Sequence, residues 1–187
     1  MALGESPARR LEAARAKYPA LGVAEVLVWR EFLRLHEQEY SALPQFWLDE
    51  RAKSKYGSPA PGDVFDYNVR IGAGTDPGKA FDDATREQWI AKTQPRIDAV
   101  AFQGNTPVVF EVDRTVGTPQ VGQLLGYLAI WRNTKITETG PVGVLVTANM
   151  KTDAMHLVRD SGLQLFTVSV DFRNLSPYAT APITGTE

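Results

Sequence analysis

The 187-residue sequence contains no cysteine, which excludes disulfides, zinc–thiolate sites and cysteine nucleophiles. Its two histidines, His36 and His156, lie far apart and suggest no histidine-rich metal cage. No apolar run approaches the length of a membrane span, so no membrane partner is expected. The first ten residues, Met1 to Arg10, lack the apolar stretch of a signal peptide. The expected location is therefore intracellular, in a cell or in an assembly built inside one, a virion included. Excess charge of one sign is also missing, the formal net charge being −2. That argues against a broad cationic surface, because nonspecific DNA affinity comes mainly from phosphate neutralisation. A small metal-centred site stays open, since the metal would supply its own charge.

What is present reads as one domain with dressed ends: residues 1–20 as an N-terminal helical extension, 21–170 as an α/β domain, 171–187 as a tail. Pro7 to Lys17 reads as a short polar helix. Val26, Trp29, Leu33, His36 and Tyr40 recur at three- and four-residue steps, which predicts an amphipathic helix over Gly22–Tyr40. Glu50 to Asp63 is loop-like in composition. Val64–Ile71 alternates as a strand, and a short helix within Thr75–Gln94 has Asp82 or Asp83 as its cap. Arg96–Gln103 and Pro107–Asp113, joined by Gly104-Asn105-Thr106, have the spacing of a β-hairpin. Thr118-Pro119 is a helix start, with the threonine hydroxyl as cap, and the helix runs to about Trp131. Val142–Thr147 reads as a buried strand, Thr152–Asp160 as a helix stopped by Gly162, and Leu163–Val170 as a last strand. Such an order predicts a mixed sheet with helices on its faces.

Chemistry concentrates in three consecutive segments. Asp98 lies within RIDAVAF, Glu111 within VVFEVD, and Gln123 and Tyr127 within QVGQLLGY. Strand alternation sends Glu111 and Asp113 to one face and Phe110 and Val112 to the other. On the helix, Gln120, Gln123, Tyr127 and Trp131 form one stripe, beside an apolar stripe of Val121, Leu124, Leu125 and Leu128. Two acidic residues on paired strands suit a hard cation such as magnesium, which takes oxygen ligands and keeps several waters. A metal-assisted phosphodiester cleavage would follow from such a site. Asp98 and Glu111 could instead be solvated at strand ends, but each is flanked by apolar residues, where an unpaired carboxylate is costly. Gln123 and Tyr127 read equally well as packing residues. Glu25 and Glu31 read as solvent-facing, although either could lend a carboxylate. His36 and His156 read as packing or solvent-facing, and Gly72-Ala73-Gly74 as a strand exit.

These motifs resemble those of the PD-(D/E)XK nuclease superfamily. There an Asp in the second strand and Glu-X-Lys in the third carry the site, and an exonuclease-like branch adds Gln-X-X-X-Tyr on the next helix. The chain is also similar to bacteriophage-encoded members with RIDAV-like and GQLLGY-like segments. The resemblance implies an α/β fold with a central mixed sheet flanked by helices, a restriction-endonuclease-like core. It implies a site of Asp98, Glu111, Asp113, Gln123 and Tyr127, with Asp98 and Glu111 as metal ligands and magnesium as the cofactor of an active member. The departure is Asp113, which stands where the family has lysine. An ionised carboxylate cannot donate a hydrogen bond, and Asp113 adds a third negative group. The neighbouring Arg114 should point to the opposite face and stays protonated.

The missing lysine and near-neutral charge favour a catalytically silent, nuclease-like domain. Its expected partners are other protein subunits of an assembly, for instance in a bacteriophage particle. The alternative is a magnesium-dependent DNA nuclease that tolerates Asp113. A noncatalytic nucleic-acid-binding module has least support, because no basic stripe with interleaved aromatics is present.

Overall fold

The computed structural model describes residues 17–18, 21–44, 47, 64–134 and 137–173. The expected Pro7–Lys17 helix (save its last residue), the Glu50–Asp63 loop and the tail beyond residue 173 lie outside the described residues. Helix α1 spans Val23–His36 and a 3₁₀ turn, Glu37–Glu39, follows. Strand β1 is Asp66–Arg70, helix α2 Asp83–Thr93, strand β2 Arg96–Gln103 and strand β3 Thr106–Val116. Helix α3 is Thr118–Thr134, strand β4 Val142–Met150, helix α4 Thr152–Asp160 and strand β5 Gln164–Thr167.

The five strands form one mixed sheet in the order β1-β2-β3-β4-β5. The first three are antiparallel neighbours, and β3, β4 and β5 run parallel. Parallel neighbours need a crossover, and α3 and α4 supply the two. This arrangement is the expected α/β architecture, a central mixed sheet flanked by helices. The β2–β3 hairpin turns on Gly104-Asn105, with Gly104 at a positive φ of 60° that suits glycine.

Each sheet face carries its own apolar layer. On one side Val26, Val28, Trp29 and Phe32 of α1 pack with Phe65, Ala99, Ala101, Phe110, Val112 and Val144. Trp29 is the hub: its ring lies 5.1 Å from Phe65, 5.3 Å from Phe110 and 5.1 Å from Phe32. On the other side Val121, Leu124, Leu128 and Trp131 of α3 and Ala154 and Val158 of α4 pack with Val100, Phe102, Val109 and Leu145. Gly143 lets α3 come close, because a Cβ there would stand 2.7 Å from Leu128 and 2.6 Å from Leu163.

Several expectations shift. The buried stripe of α1 runs through Val26, Trp29 and Phe32 with Val28 beside it, so Leu33 is only partly covered. Tyr127 and Trp131 are buried with the apolar stripe of α3 rather than beside it, and Trp131 stacks on Trp47 at 4.7 Å. Thr118 is not the cap of α3. The Gly117 carbonyl accepts the first helical bond from Val121, and the Gln120 side chain accepts from the Gly117 N–H, while the Thr118 hydroxyl donates to Asp153. The last strand is shorter than Leu163–Val170, because pairing with β4 stops at Thr167.

Truncating the aromatic hub with Trp29→Ala should cost about 3–5 kcal/mol and lower Tm by roughly 10 °C. Thermal unfolding followed by circular dichroism checks this. A shift within about 2 °C would show that the α1 layer is not a major source of stability.

Candidate active site

The β2–β3 ladder ends at the Ala99–Phe110 pair, although β2 begins at Arg96 and β3 continues to Val116. One step further stand Asp98 and Glu111. Where the strands part, the carboxylate of Asp98 enters the gap and its Oδ2 accepts from the Val112 N–H at 2.8 Å. A side chain thus satisfies a backbone donor that a strand carbonyl would ordinarily take. Glu111 is held by its partner across β4, Leu145, on the face covered by α3. It is 5% exposed, and its Oε2 is buried without a hydrogen-bond partner.

Electrostatics follow from that burial. Desolvation, and then the neighbouring Asp98 charge, push the Glu111 carboxyl up to about 9. Desolvation also raises Asp98, to about 7, against the Val112 hydrogen bond and with help from the Glu25 and Asp113 charges. Glu111 thus resists ionisation because it is buried and because Asp98 is near. Of the two sequence-predicted acids, Asp98 reaches the backbone N–H of the residue that follows Glu111.

The helical residues arrive from α3. Gln123 donates from Nε2 to the Tyr127 hydroxyl at 2.6 Å, which leaves the phenolic proton available to a further acceptor. Burial, then the Glu111 charge, pushes the Tyr127 hydroxyl up to about 12, so it stays a neutral donor facing the acids. Asp113 sits where the resemblance expects lysine and is tied to the helix start. Its Oδ1 accepts from the Thr115 N–H at 2.8 Å and its Oδ2 from Gln120 Nε2 at 2.9 Å. Arg114 turns away, its guanidinium lying 4.5 Å from the Phe172 ring centroid.

Glu25 departs from its solvent-facing expectation. It is half-buried at the third position of α1 and accepts from the Gly22 N–H at 2.6 Å. Burial raises its carboxyl, and Asp113 adds to the effect. Glu31 is held at the surface by Arg34, as expected. Asp82 caps α2 through the Thr85 N–H, and Asp83 is exposed. His36 stacks on Phe32 and meets Phe166 at a tilt, and His156 lies beside Arg159. Sequence reasoning missed Gln120 as a bridge. Its signal was the Gly-Thr-Pro-Gln run, in which the fourth residue reaches back to the first.

Among the described residues, no group of three His, Cys, Asp or Glu side chains is placed to hold a metal ion. The Asp98–Glu111 pair nonetheless suits one. Magnesium commonly takes one or two carboxylates and completes its shell with water and phosphate, and Glu111 offers an unpartnered oxygen.

No protein-family model matches the chain, and no curated protein matches it. Among solved structures it is similar to a repair endonuclease from Pyrococcus abyssi, at 20% identity over 40% of this chain and 33% of that one, with a TM-score of 0.36. It is also similar to EndoMS in a complex with double-stranded DNA, at 19% identity over 59% of this chain and 38% of that one, with a TM-score of 0.37. The chain spans between 33% and 38% of the length of these two structures. No described helix is long and apolar enough to cross a membrane.

The raised carboxyls make a stability prediction. An acid whose folded pKa exceeds its unfolded value binds its proton more tightly in the native state. The stability it contributes is therefore complete at low pH and is lost as pH rises. For Glu111 the window runs from its ordinary 4.5 up to about 9. Urea denaturation across that window, with chelator present, should show native stability falling and the Glu111→Gln variant falling distinctly less. Parallel curves for the two proteins would contradict the buried pair.

Proposed function

We propose that this chain is a nuclease-like protein that hydrolyses DNA phosphodiester bonds with a divalent cation. In this reading Asp98 and Glu111 hold the cation, and Asp113 replaces the family's lysine. The observation that carries it is the buried, unpartnered Oε2 of Glu111 beside the half-buried carboxyl of Asp98. Their ionisation is disfavoured, and a bound positive charge would relieve it as a proton does. Carboxyls perturbed by burial and by neighbouring charges are a mark of function.

A bound magnesium ion would supply Lewis acidity toward a phosphoryl oxygen and offset developing negative charge. The chain's own groups do the rest. Val112 orients Asp98, and the close contact of α3 with β4 keeps bulk water from Glu111. Tyr127, aligned by Gln123, donates a hydrogen bond at the edge of the pair. Asp113, fixed by Gln120 and the Thr115 N–H, accepts a proton from the attacking water. Geometry supports that role because each Asp113 oxygen keeps a free lone pair beyond the bond it accepts. With a near-neutral chain, DNA would be gripped locally at the site rather than along a basic surface.

The full chain incubated with linear and branched DNA plus magnesium or manganese should cut, and Glu111→Ala should abolish cutting. Asp113→Ala should lower the rate by about a hundredfold or more, the scale of a lost general base. No cutting by the native chain, with cutting gained on Asp113→Lys, would overturn this reading. It would leave an eroded site and the silent, assembly-serving role.

A further inference from the structure

Asn68 is the one non-glycine residue with a positive φ, 54°, among the described residues. It sits mid-strand in β1, where left-handed backbone disrupts a ladder and costs free energy that only a few residue types tolerate. The β1–β2 register pairs Tyr67 with Ala99 and Val69 with Ile97, so Asn68 stands opposite Asp98.

Side-chain alternation breaks at that level in both strands. Before the break in β1, Phe65 and Tyr67 pack in the α1 layer; after it, Val69 and Ile71 pack in the α3 layer. Regular strand geometry would keep all four on one face. The same happens in β2, where Ala99 and Ala101 belong to the α1 layer but Ile97 to the α3 layer. Both strands therefore roll about their axes at Asn68 and Asp98. At the same level the β2–β3 ladder stops, and Asp98 turns into the gap to meet the Val112 N–H.

We infer that Asn68 is a positioning residue: its left-handed backbone rolls β2 so that the Asp98 carboxylate leaves strand alternation and stands beside Glu111. The site's use for a cation rests on the proposed function, whereas the placement of Asp98 does not. Backbone rather than side chain carries the effect, because the Asn68 amide has only a long contact, 3.4 Å, with Arg96. Glycine, which adopts positive φ freely, should therefore substitute. A β-branched residue should not, since it strongly disfavours that conformation.

Amide NMR of the full chain in chelator gives the first readout. The Val112 N–H should be shifted by its carboxylate bond and slow to exchange in the native protein and in Asn68→Gly. In folded Asn68→Val that signature should vanish, and if valine prevents folding, Asn68→Ala is read in the same way. Calorimetric titration with manganese gives the second readout: affinity should fall about 10- to 100-fold in the valine or alanine variant and hold in the glycine variant. An unchanged Val112 amide in folded Asn68→Val or Asn68→Ala overturns the inference. So does loss of the signature in Asn68→Gly, which would assign the effect to the side chain. If the native chain binds no manganese, the functional reading fails, and the amide readout still decides the role of Asn68.

Discussion

A buried carboxyl and a half-buried one on neighbouring strands, Glu111 and Asp98, constrain everything around them. Burial is the largest cause that holds Asp98 and Glu111 well above the ordinary carboxylate range, and neighbouring charges add to it: Asp98 for Glu111, Glu25 and Asp113 for both. A single hydrogen bond, from the Val112 N–H to Asp98, offsets part of that cost, and Glu111 has nothing comparable on its buried oxygen. The sheet must tolerate this pair, and its construction shows how. Aromatic packing on the α1 face and a close α3–β4 contact on the other supply the apolar burial, while the strands part where the acids enter.

The parting of β2 from β3 links fold to chemistry. A continuous ladder would place Asp98 on one face in strict alternation and leave no gap between strands. Here the ladder stops one residue short, and a side-chain oxygen takes over a backbone donor. Around that opening sit a neutral tyrosine hydroxyl aligned by glutamine and a third carboxylate tethered to the start of α3. A lysine at position 113 could not be tethered in this way, because an ammonium group cannot accept from Gln120 or from the Thr115 N–H. Asp113 is thus integrated into the helix start and is more than a lysine lost.

Much of this was legible in the sequence because local chemistry agreed with the global fold. The Gly-Asn turn, Gly162 after α4 and the apolar run of β4 each specify an element by themselves. Alternation within β3 correctly separated Glu111 from Phe110 and Val112. The failures share a cause, which is tertiary context. Tyr127 and Trp131 looked like a polar-edged stripe, but the width of the α3 contact buries both. Glu25 carried only the pattern of a surface helix, and its burial comes from where α1 starts against the sheet. Asparagine is depleted in strands and tolerates left-handed backbone, so Asn68 was the one signal in Asp-Tyr-Asn-Val-Arg, but a lone asparagine does not say that the strand rolls there. The roll that it imposes becomes visible only when its neighbours are assigned to opposite layers.

The most direct measurement is a crystal structure of the full chain soaked in manganese, read by anomalous scattering. The account predicts one strong peak between the Asp98 and Glu111 carboxylates, at about 2.1 Å from an oxygen of each. A well-occupied peak elsewhere, or none there while the two carboxyls remain in place, would contradict it.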